Sequence, residues 1–318
     1  MVKMSVEQKI RFQPINISSV DDAIHLKDNF SHVETWYFDG YFKDGYSMVV
    51  LVNVLHISCL GLVLTGLYLY KDTKPIKTIR QRFPLKAFYG STENPIIKIE
   101  DKTIVNYQGL DKKTGFWSYN ISMGDKTDGV DLRFVQKNTS WKGKTLLGQW
   151  LVVPLFDVTG SLFVDGKKVE VTGIGYHDHN IYPLYAPFFL KGYHFGKIPL
   201  DKFDITWAKV MSRKGVDQPI VVINKDNSYI SIDPSDIQFT VEKEIKNNKK
   251  MIPEIFHICV NNDFVNLSVK CKMNNVHNIH IPSLNYWRYH LHYLGEITID
   301  SKTINIDLID ISELLRFF

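Results

Sequence analysis

Residues 173–180 read GIGYHDHN, and this stretch ends in four consecutive polar side chains: His177, Asp178, His179 and Asn180. Side chains alternate between the two faces of an extended strand. A straight strand therefore places the two histidines on one face. The other face then carries Tyr176, Asp178 and Asn180. These residue types in this order suit three roles, namely a metal site, an acid–base site, or the polar end of a strand.

The metal interpretation starts from the two histidines. A His-x-His pair on one strand face is able to supply two imidazole ligands. A useful site needs a third ligand, and no spacing rule selects the nearby candidates His194 and Glu170. The segment after the second histidine, IYPLYAPFF, contains no acidic residue. We therefore predict no metal site at this position.

The acid–base interpretation centres on Asp178. Burial raises the pKa of a carboxyl group and keeps a proton available for transfer. Tyr176 and Asn180, on the same strand face, would orient this carboxyl group or hold a water molecule. In the competing structural interpretation, Asp178 and Asn180 cap a loop through hydrogen bonds from side chain to backbone.

Composition excludes several classes of protein. The chain has 318 residues, of which 44% are hydrophobic and 23% charged, with 38 basic and 34 acidic residues. This balance argues against nucleic acid as a partner, and the basic run KEIKNNKK at 243–250 is expected to be an exposed loop. Cys59, Cys259 and Cys271 form no CxxC motif, which is typical of a reducing compartment. Because MVKMSVEQKIRFQ contains no apolar segment of a signal peptide, we expect a cytoplasmic protein.

The sequence predicts that the segments around this motif are β-strands. Segments rich in Val, Ile, Thr and aromatic residues alternate with DG, KD, DN and NN turn signals, and Asp165-Gly166 predicts a two-residue hairpin. Residues 48–70 are long enough for a membrane helix, but polar interruptions favour two buried strands joined near residues 58–61. Helical periodicity is weak and confined to 19–25 and 311–318. The predicted fold class is all-β, with antiparallel barrels or sandwiches and little helix.

The chain also repeats itself. GSLFVDGKKVEVTGIG, from Gly160, aligns without gaps with GEITIDSKTINIDLID, from Gly295. Weaker matches align the segment from Phe38 with the segment from Phe195, and residues 67–72 with residues 221–226. We therefore predict two consecutive, related β-domains, comprising residues 1–185 and 186–318.

Three blocks of sequence carry a resemblance to a known family. The block from Trp150, WLVVPLFDVTGSLFVDGKKVEVTGIGYHDHN, resembles the carotenoid 1,2-hydratases (hydroxyneurosporene synthases) and their lipocalin-like relatives. HVETWYFDGYFKDGYS, from His32, is similar to their N-terminal signature, with Thr35 in place of a Trp. The block from Gly192, YHFGKI followed by DITWAKV, is similar to their downstream motif. The resemblance spans most of residues 30–210.

The resemblance implies two lipocalin-like β-domains, an elongated apolar cavity at or between them, and acid-catalysed hydration or cyclisation of an isoprenoid, polyene or other apolar substrate without a cofactor. Asp178 would be the acid. His177 and His179 would orient it or relay its proton, and Asn180 would place a water molecule. The aromatic residues expected to line the pocket and face a cation are Trp36, Tyr37, Tyr176, Tyr193 and Trp207.

The chain departs from the family pattern directly after the motif. Ile181 and Tyr182 follow where the family places Trp-Gly, which favours a substrate other than a carotenoid. The alternative hypothesis is a non-catalytic lipocalin-like carrier in which Asp178 is ionised and structural. In either case the expected partner is a hydrophobic small molecule, an isoprenoid or a lipid, for which peripheral contact with a membrane is plausible. The ligand and the oligomeric state are not set by the sequence.

Overall fold

The computed structural model describes residues 11–25, 31–57, 60–200, 203–281 and 284–318. Strand accounts for 74% of the chain and helix for 5%, which confirms the all-β prediction. The described part of the chain has one short α-helix, Ala186–Phe189, and 3-10 turns at Ser19–Asp22, Leu85–Ala87 and Pro234–Asp236. All paired strands are antiparallel and belong to two sheets.

The first sheet contains the strands of the first half of the chain. They are β1 (Ile15–Asn16), β2 (His32–Phe42), β3 (Tyr46–Ile57), β4 (Leu60–Lys71), β5 (Lys74–Pro84), β6 (Phe88–Gly90), β7 (Ile96–Ile99), β8 (Lys102–Leu110), β9 (Trp117–Gly124), β10 (Gly129–Gln136), β11 (Trp141–Lys144), β12 (Gln149–Val164) and β13 (Lys167–Pro183). Their order is β5-β4-β3-β2-β13-β12-β10-β9-β8-β7-β6, with β11 paired to β12 and to β1.

The second sheet contains the remaining strands. They are β14 (Leu190–Pro199), β15 (Phe203–Ser212), β16 (Gln218–Lys225), β17 (Ser228–Ser231), β18 (Ile237–Asn247), β19 (Lys250–Asn261), β20 (Val265–Ile281), β21 (Leu284–Ile299) and β22 (Lys302–Phe317). Their order is β17-β16-β15-β14-β22-β21-β20-β19-β18. The predicted domain boundary between residues 185 and 186 falls in the connection from β13 to β14, and the division into two domains stays a prediction.

The two sheets share one connectivity. In each sheet the last strand, β13 or β22, pairs with an early strand, β2 or β14, from which the next three strands follow in chain order. The hairpins that lead into the last strands turn at Asp165 and Asp300, which have φ angles of 49° and 50°. The two-residue hairpin predicted at Asp165-Gly166 is confirmed, since Val164 pairs with Lys167 across it.

One of the weaker repeat alignments is off by one residue. Asp178 pairs with Tyr37 in the first sheet, and Glu313 pairs with Phe195 in the second. Because Asp178 and Glu313 occupy equivalent positions after their hairpin turns, Tyr37 is the counterpart of Phe195. The alignment of Phe38 with Phe195 would place equivalent side chains on opposite faces of their sheets.

Several local predictions are settled by the strand assignments. Residues 48–70 contribute to β3 and β4, as predicted, with residues 58–59 outside the described part of the chain. Within the described residues, the structure contains no helix of the length and apolarity required to cross a membrane. The weak helical prediction for 311–318 is wrong, because β22 continues to Phe317 between β21 and β14. The run at 243–250 is mostly exposed, but it forms the hairpin of β18 and β19 rather than a loop.

The cysteine and N-terminal predictions are tested only in part. Cys259 and Cys271 are free thiols, and Cys59 lies outside the described residues. The first ten residues, on which the expectation of no signal peptide rests, lie outside them as well.

Apolar side chains form three clusters. One fills the interior of the first sheet and contains Trp36, Phe38 and Phe156. A second fills the interior of the second sheet and contains Trp207 and Trp287. The third, here called the interface layer, joins residues of both sheets. Its buried aromatic members are Phe12, Tyr37, Tyr68, Tyr70, Trp141, Trp150, Tyr176, Phe195 and Tyr286.

Candidate functional site

The alternation predicted for β13 is confirmed. Tyr176 belongs to the interface layer. His177 turns the other way, into the interior of the first sheet, where its ring stacks on Phe38 with centroids 3.9 Å apart. His179 follows it into the same interior and stacks on Trp36 at 4.2 Å. The polar side chains of β13 therefore form two separate groups, one on each face of the strand.

Asp178 is held on the interface side by three neutral donors. Trp150 Nε1 and Tyr176 OH donate to its Oδ2 atom over 3.2 and 2.9 Å. Asn180 Nδ2 donates to its Oδ1 atom over 2.7 Å. Tyr176 and Asn180 lie two residues away on the same strand face, and β12 brings Trp150 opposite Asn180. Since these bonds form in mid-strand, the expectation that Asp178 and Asn180 cap a loop is wrong.

Burial has the largest effect on the pKa of Asp178, which is only 3% exposed. Burial raises the pKa of this carboxyl group to about 8, although the hydrogen bonds from Tyr176 and Trp150 lower it. The negative charges of Glu313 and Asp39 raise it further. A carboxyl group with this pKa retains its proton at neutral pH and is suited to donate it.

An ion pair from the second sheet lies in the same layer. Arg288 donates from Nε to Glu313 Oε1 over 2.8 Å. Its remaining nitrogens donate to the hydroxyl groups of Tyr70, over 3.1 Å, and Tyr286, over 2.9 Å. Arg288 is completely buried. The pair joins the two sheets, because Tyr70 belongs to β4 and the other residues belong to β21 and β22.

A second ionic group in the layer consists of one lysine and two carboxylates. Lys197 Nζ lies 2.7 Å from Asp39 Oδ2 and 2.9 Å from Asp310 Oδ1. Tyr37 OH donates to Asp39 over 3.1 Å. Burial raises the pKa of Asp39 to about 7; the Lys197 ammonium group lowers it, and the Asp310 carboxylate raises it. Two carboxylates therefore share one ammonium group in a dry environment.

Sequence reasoning missed these interface charges. Asp39 and Lys197 lie within the quoted motifs WYFDG and HFGKI, yet nothing in those motifs showed that they would meet. Glu313 had a stronger signal, since the repeat that begins at Gly160 and Gly295 aligns it with Asp178. Arg288 had no local signal, because it meets Glu313 only when β21 pairs with β22 and places the two residues opposite each other.

The histidine side of β13 forms a buried network with two carboxylates. His177 Nε2 lies 3.0 Å from both oxygens of Asp22. His179 Nε2 lies 2.9 Å from Glu34 Oε1, and its Nδ1 lies 3.2 Å from Asp22 Oδ1. The prediction that these histidines orient Asp178 or relay its proton is wrong, because the backbone of β13 separates their rings from its carboxyl group.

The charges of this network compensate each other. Burial by itself would raise the pKa of Asp22, but His177 and His179 hold it at about 2. Burial likewise opposes the charged form of His179, yet Asp22 and Glu34 raise its pKa to about 9. The pKa of Glu34 is held well below its usual value by His179, His25 and His32 against the effect of burial. This arrangement keeps ionised groups inside the first sheet.

The predicted pocket aromatics are divided among three places. Tyr37 and Tyr176 belong to the interface layer, and Tyr193 packs against it. Trp36 lies in the interior of the first sheet and Trp207 in the interior of the second, so neither faces the carboxyl group of Asp178. The proposed third metal ligands are also distant, since Glu170 is exposed on β13 and His194 lies beside Trp207.

Two cavities of about 370 and 380 Å³ lie in the first sheet, and both are bordered by the turn between β9 and β10. The larger one is bordered by Ile79 and Phe83 of β5 and by Ile99 and Ile104 of β7 and β8. Lysine and acidic side chains also line it. Neither of these two cavities includes Asp178. The expected elongated apolar cavity is therefore not formed by either of them.

Comparison with known proteins identifies the fold. No protein-family model and no curated protein sequence matches the chain. An AttH candidate from Nitrosomonas europaea superposes with a TM-score of 0.63 and 12% identity, over 96% of this chain and 98% of that one. Kievitone hydratase from Nectria haematococca gives 0.55 and 10%, over 89% and 88%. CghA gives 0.54 and 8%, over 95% and 96%, and its structure is also known with Sch210972. At these identities the chain shares the two-sheet fold of these proteins along nearly its whole length.

Proposed function

We propose that this protein catalyses acid-dependent hydration or cyclisation of an unsaturated apolar substrate, with Asp178 as the proton donor. The observation that carries this proposal is a buried carboxyl group held by three neutral donors. Burial raises the pKa of this group to about 8. The motif resemblance to carotenoid 1,2-hydratases supports the reaction class. So does the fold shared with a protein named kievitone hydratase and with CghA, whose structure holds the small molecule Sch210972.

In the hydration reaction, the Asp178 carboxyl group transfers its proton to one carbon of a C=C bond. A C–H bond forms, and the neighbouring carbon becomes a cation. The oxygen of a water molecule then bonds to that carbon, and the proton that the water releases returns to the Asp178 carboxylate. The net change is the addition of one water. In cyclisation, a second C=C bond attacks the cation, and loss of a proton to Asp178 completes an isomerisation.

The neighbours of Asp178 have distinct roles in this scheme. Trp150 and Tyr176 orient its Oδ2 atom, and their hydrogen bonds stabilise the carboxylate that remains after proton transfer. Asn180 holds the other oxygen. The rings of Tyr176 and Phe195 stack 5.8 Å apart beside this group, and such faces stabilise a carbocation. His177 and His179 take no part, since they face the interior of the first sheet.

The substrate must enter the interface layer, because the two cavities of the first sheet do not reach Asp178. Asn180, which bonds Asp178, and Tyr193, which packs against the layer, are half-buried. We place the entry point there. The partner in this proposal is an isoprenoid or another hydrophobic small molecule. Ile181 and Tyr182, in place of the family's Trp-Gly, favour a substrate other than a carotenoid.

The test compares two buried acids. Wild-type protein, Asp178→Asn and Asp204→Asn are incubated with a cell lipid extract, and bound and released species are analysed by mass spectrometry. Asp204 is a matched control because burial raises its pKa to about 8 as well, while its hydrogen-bond donor is Asn138 and not one of the three donors that hold Asp178. We expect wild type and Asp204→Asn to form a product heavier by one water or a cyclised isomer. Asp178→Asn should lose about 100-fold or more of this activity.

A non-catalytic carrier is the second candidate function. It is favoured by the cavity of about 380 Å³ between β5 and β8, which lies away from Asp178 and is within the size range of ligand sites. In this case all three proteins should bind the same lipid and leave it unchanged. Ile79→Trp, which narrows that cavity, should then reduce binding while Asp178→Asn does not.

A further inference from the structure

Three side chains at one end of the first sheet converge on a single point. His32 of β2 lies directly opposite His56 of β3, and Glu34 follows two residues later on the same face of β2. The two imidazole rings stack with centroids 4.5 Å apart and an interplanar angle of 17°. Each histidine Nε2 atom lies 3.8 Å from the same oxygen, Oε2 of Glu34. Cross-strand neighbours on one face are close enough to share a ligand.

The two oxygens of Glu34 have different surroundings. Oε1 accepts a hydrogen bond from the backbone N–H of His25 over 3.0 Å. It also lies 3.0 Å from His25 Nδ1 and 2.9 Å from His179 Nε2. By contrast, Oε2 has no hydrogen-bond partner among the described residues, although Glu34 is fully buried, and the same holds for His56 Nε2. Leaving a buried carboxylate oxygen and a buried imidazole nitrogen in this state is unfavourable.

We propose that His32, Glu34 and His56 bind one divalent transition-metal ion, with zinc as the best match. Two imidazole nitrogens and one carboxylate oxygen form a common ligand set for this ion. Ligand atoms at 2.0–2.2 Å from a tetrahedral ion are separated by about 3.4 Å. The observed separations of 3.8 Å are too long for hydrogen bonds and need to contract by only a few tenths of an ångström. All three ligand atoms lie within 4.8 Å of one another.

The surroundings of this site suit a bound cation. His25 and His179 fix the Glu34 carboxylate through Oε1 and so direct Oε2 toward the two histidines, as outer partners of metal ligands do. The alternative group of His25, Glu34 and His179 is less suitable, because its contacts of 2.9–3.0 Å are already hydrogen bonds. His56 is 8% exposed, which provides a route for an ion to enter at the end of β3.

This site is separate from Asp178, since it lies in the interior of the first sheet rather than in the interface layer. A bound ion would connect the start of β2 to the end of β3 and, through Glu34, to β13. It is therefore expected to stabilise the folded chain. Binding of the ion only to the folded state raises the unfolding temperature in proportion to the logarithm of its concentration.

The test uses untagged protein stripped with a chelator and titrated with zinc in competition with a chromophoric indicator. We expect one equivalent to bind the wild type and to raise its unfolding temperature. His56→Phe retains a ring to stack on His32 but lacks the nitrogen, and it should weaken zinc binding by about 100-fold or more. His292→Phe is the matched control, since His292 is a more exposed histidine that contacts Asp307 in the second sheet. It should bind zinc like the wild type.

Two further measurements separate the remaining outcomes. X-ray absorption of the zinc-loaded wild type should show two imidazoles and one carboxylate oxygen, and it needs no variant to fold. Asp178→Asn should bind zinc normally, so loss of the proposed activity and loss of metal binding are independent results. The proposal is overturned if the stripped wild type binds no zinc, or if His56→Phe binds it as tightly as the wild type does.

Discussion

Asp178 in β13 and Glu313 in β22 occupy the same position in the two repeats, and both face the interface layer. Their surroundings differ in one respect. Glu313 is paired with the guanidinium group of Arg288 at 2.8 Å, whereas the three hydrogen-bond donors of Asp178 are all neutral. The same fold position thus holds an ion pair in one repeat and, in the other, a carboxyl group whose pKa is raised mainly by burial.

The interiors of the two sheets also differ in the charged groups that they contain. His177 and His179 enter the first interior and meet Asp22 and Glu34, while the equivalent residues of the second sheet are Ser312 and Leu314. The interior histidine of the second sheet, His194, has its pKa lowered by burial to about 3. It is therefore neutral there. The buried network of histidines and carboxylates and the proposed metal site therefore both lie in the interior of the first sheet.

The largest expected effect comes from breaking the ion pair of the second repeat. Glu313→Gln leaves the fully buried Arg288 without its carboxylate partner. Removing one partner of a buried ion pair costs about 3–5 kcal/mol of stability, so the midpoint of urea unfolding should fall strongly. Tryptophan fluorescence during urea titration measures this change. A loss below about 1 kcal/mol would show that the tyrosines around Arg288 are sufficient to hold it.

The equivalent substitution in the first repeat should behave differently. Asp178 is protonated in the folded protein up to about pH 8 and ionised in the unfolded chain above its usual pKa of 3.8. Folding thus takes up a proton, and this group makes the folded state less stable as pH rises from about 4 to 8, by up to about 1.4 kcal/mol per pH unit. Asp178→Asn removes this dependence.

The measurement is the difference in unfolding free energy between wild type and Asp178→Asn at several pH values. Taking the difference cancels the contribution of Asp204, whose pKa is also raised and which does not contact Asp178. We expect the variant to gain stability relative to wild type as the pH increases. A difference that stays constant from pH 4 to 8 would mean that Asp178 is ionised in the folded protein.

The same titration predicts how activity depends on pH. Only the protonated form of Asp178 donates a proton, and this form is lost as pH rises through about 8. The rate of product formation should therefore be constant at neutral pH and fall about tenfold per pH unit above this value. A rate that rises through pH 8 would instead indicate that Asp178 acts as a base in the rate-limiting step.

A smaller effect is expected from removing one donor. Tyr176→Phe deletes a hydrogen bond that lowers the pKa of Asp178, so the fall in activity should shift to higher pH. The loss of stability should be about 0.5–1.5 kcal/mol. Trp150→Phe removes the other bond to Oδ2 and serves as the comparison. If neither variant moves the pH profile, a group other than Asp178 controls it.

Local patterns were sufficient for much of the fold. The composition of the strands, the Asp165-Gly166 turn and the repeat from Gly160 and Gly295 predicted antiparallel hairpins, and the structure contains them. Strand alternation correctly separated His177 and His179 from Asp178. The same rule should have excluded the proposed relay between them, because groups on opposite faces of a strand do not meet.

What determined the rest was contact between residues far apart in the sequence. The chain by itself established strand content, the faces of β13 and a buried acid as the central candidate, since these depend on spacing and residue type alone. Only the tertiary structure decided that Lys197 would meet Asp39 and that Arg288 would pair with Glu313. It also decided that, among the residues that the structure describes, the hydrogen-bond donors of Asp178 would be neutral. The pKa of a buried group and the ligand set of a metal site both depend on which residues, distant in sequence, are buried together. The spacing of residues along the chain does not specify those contacts.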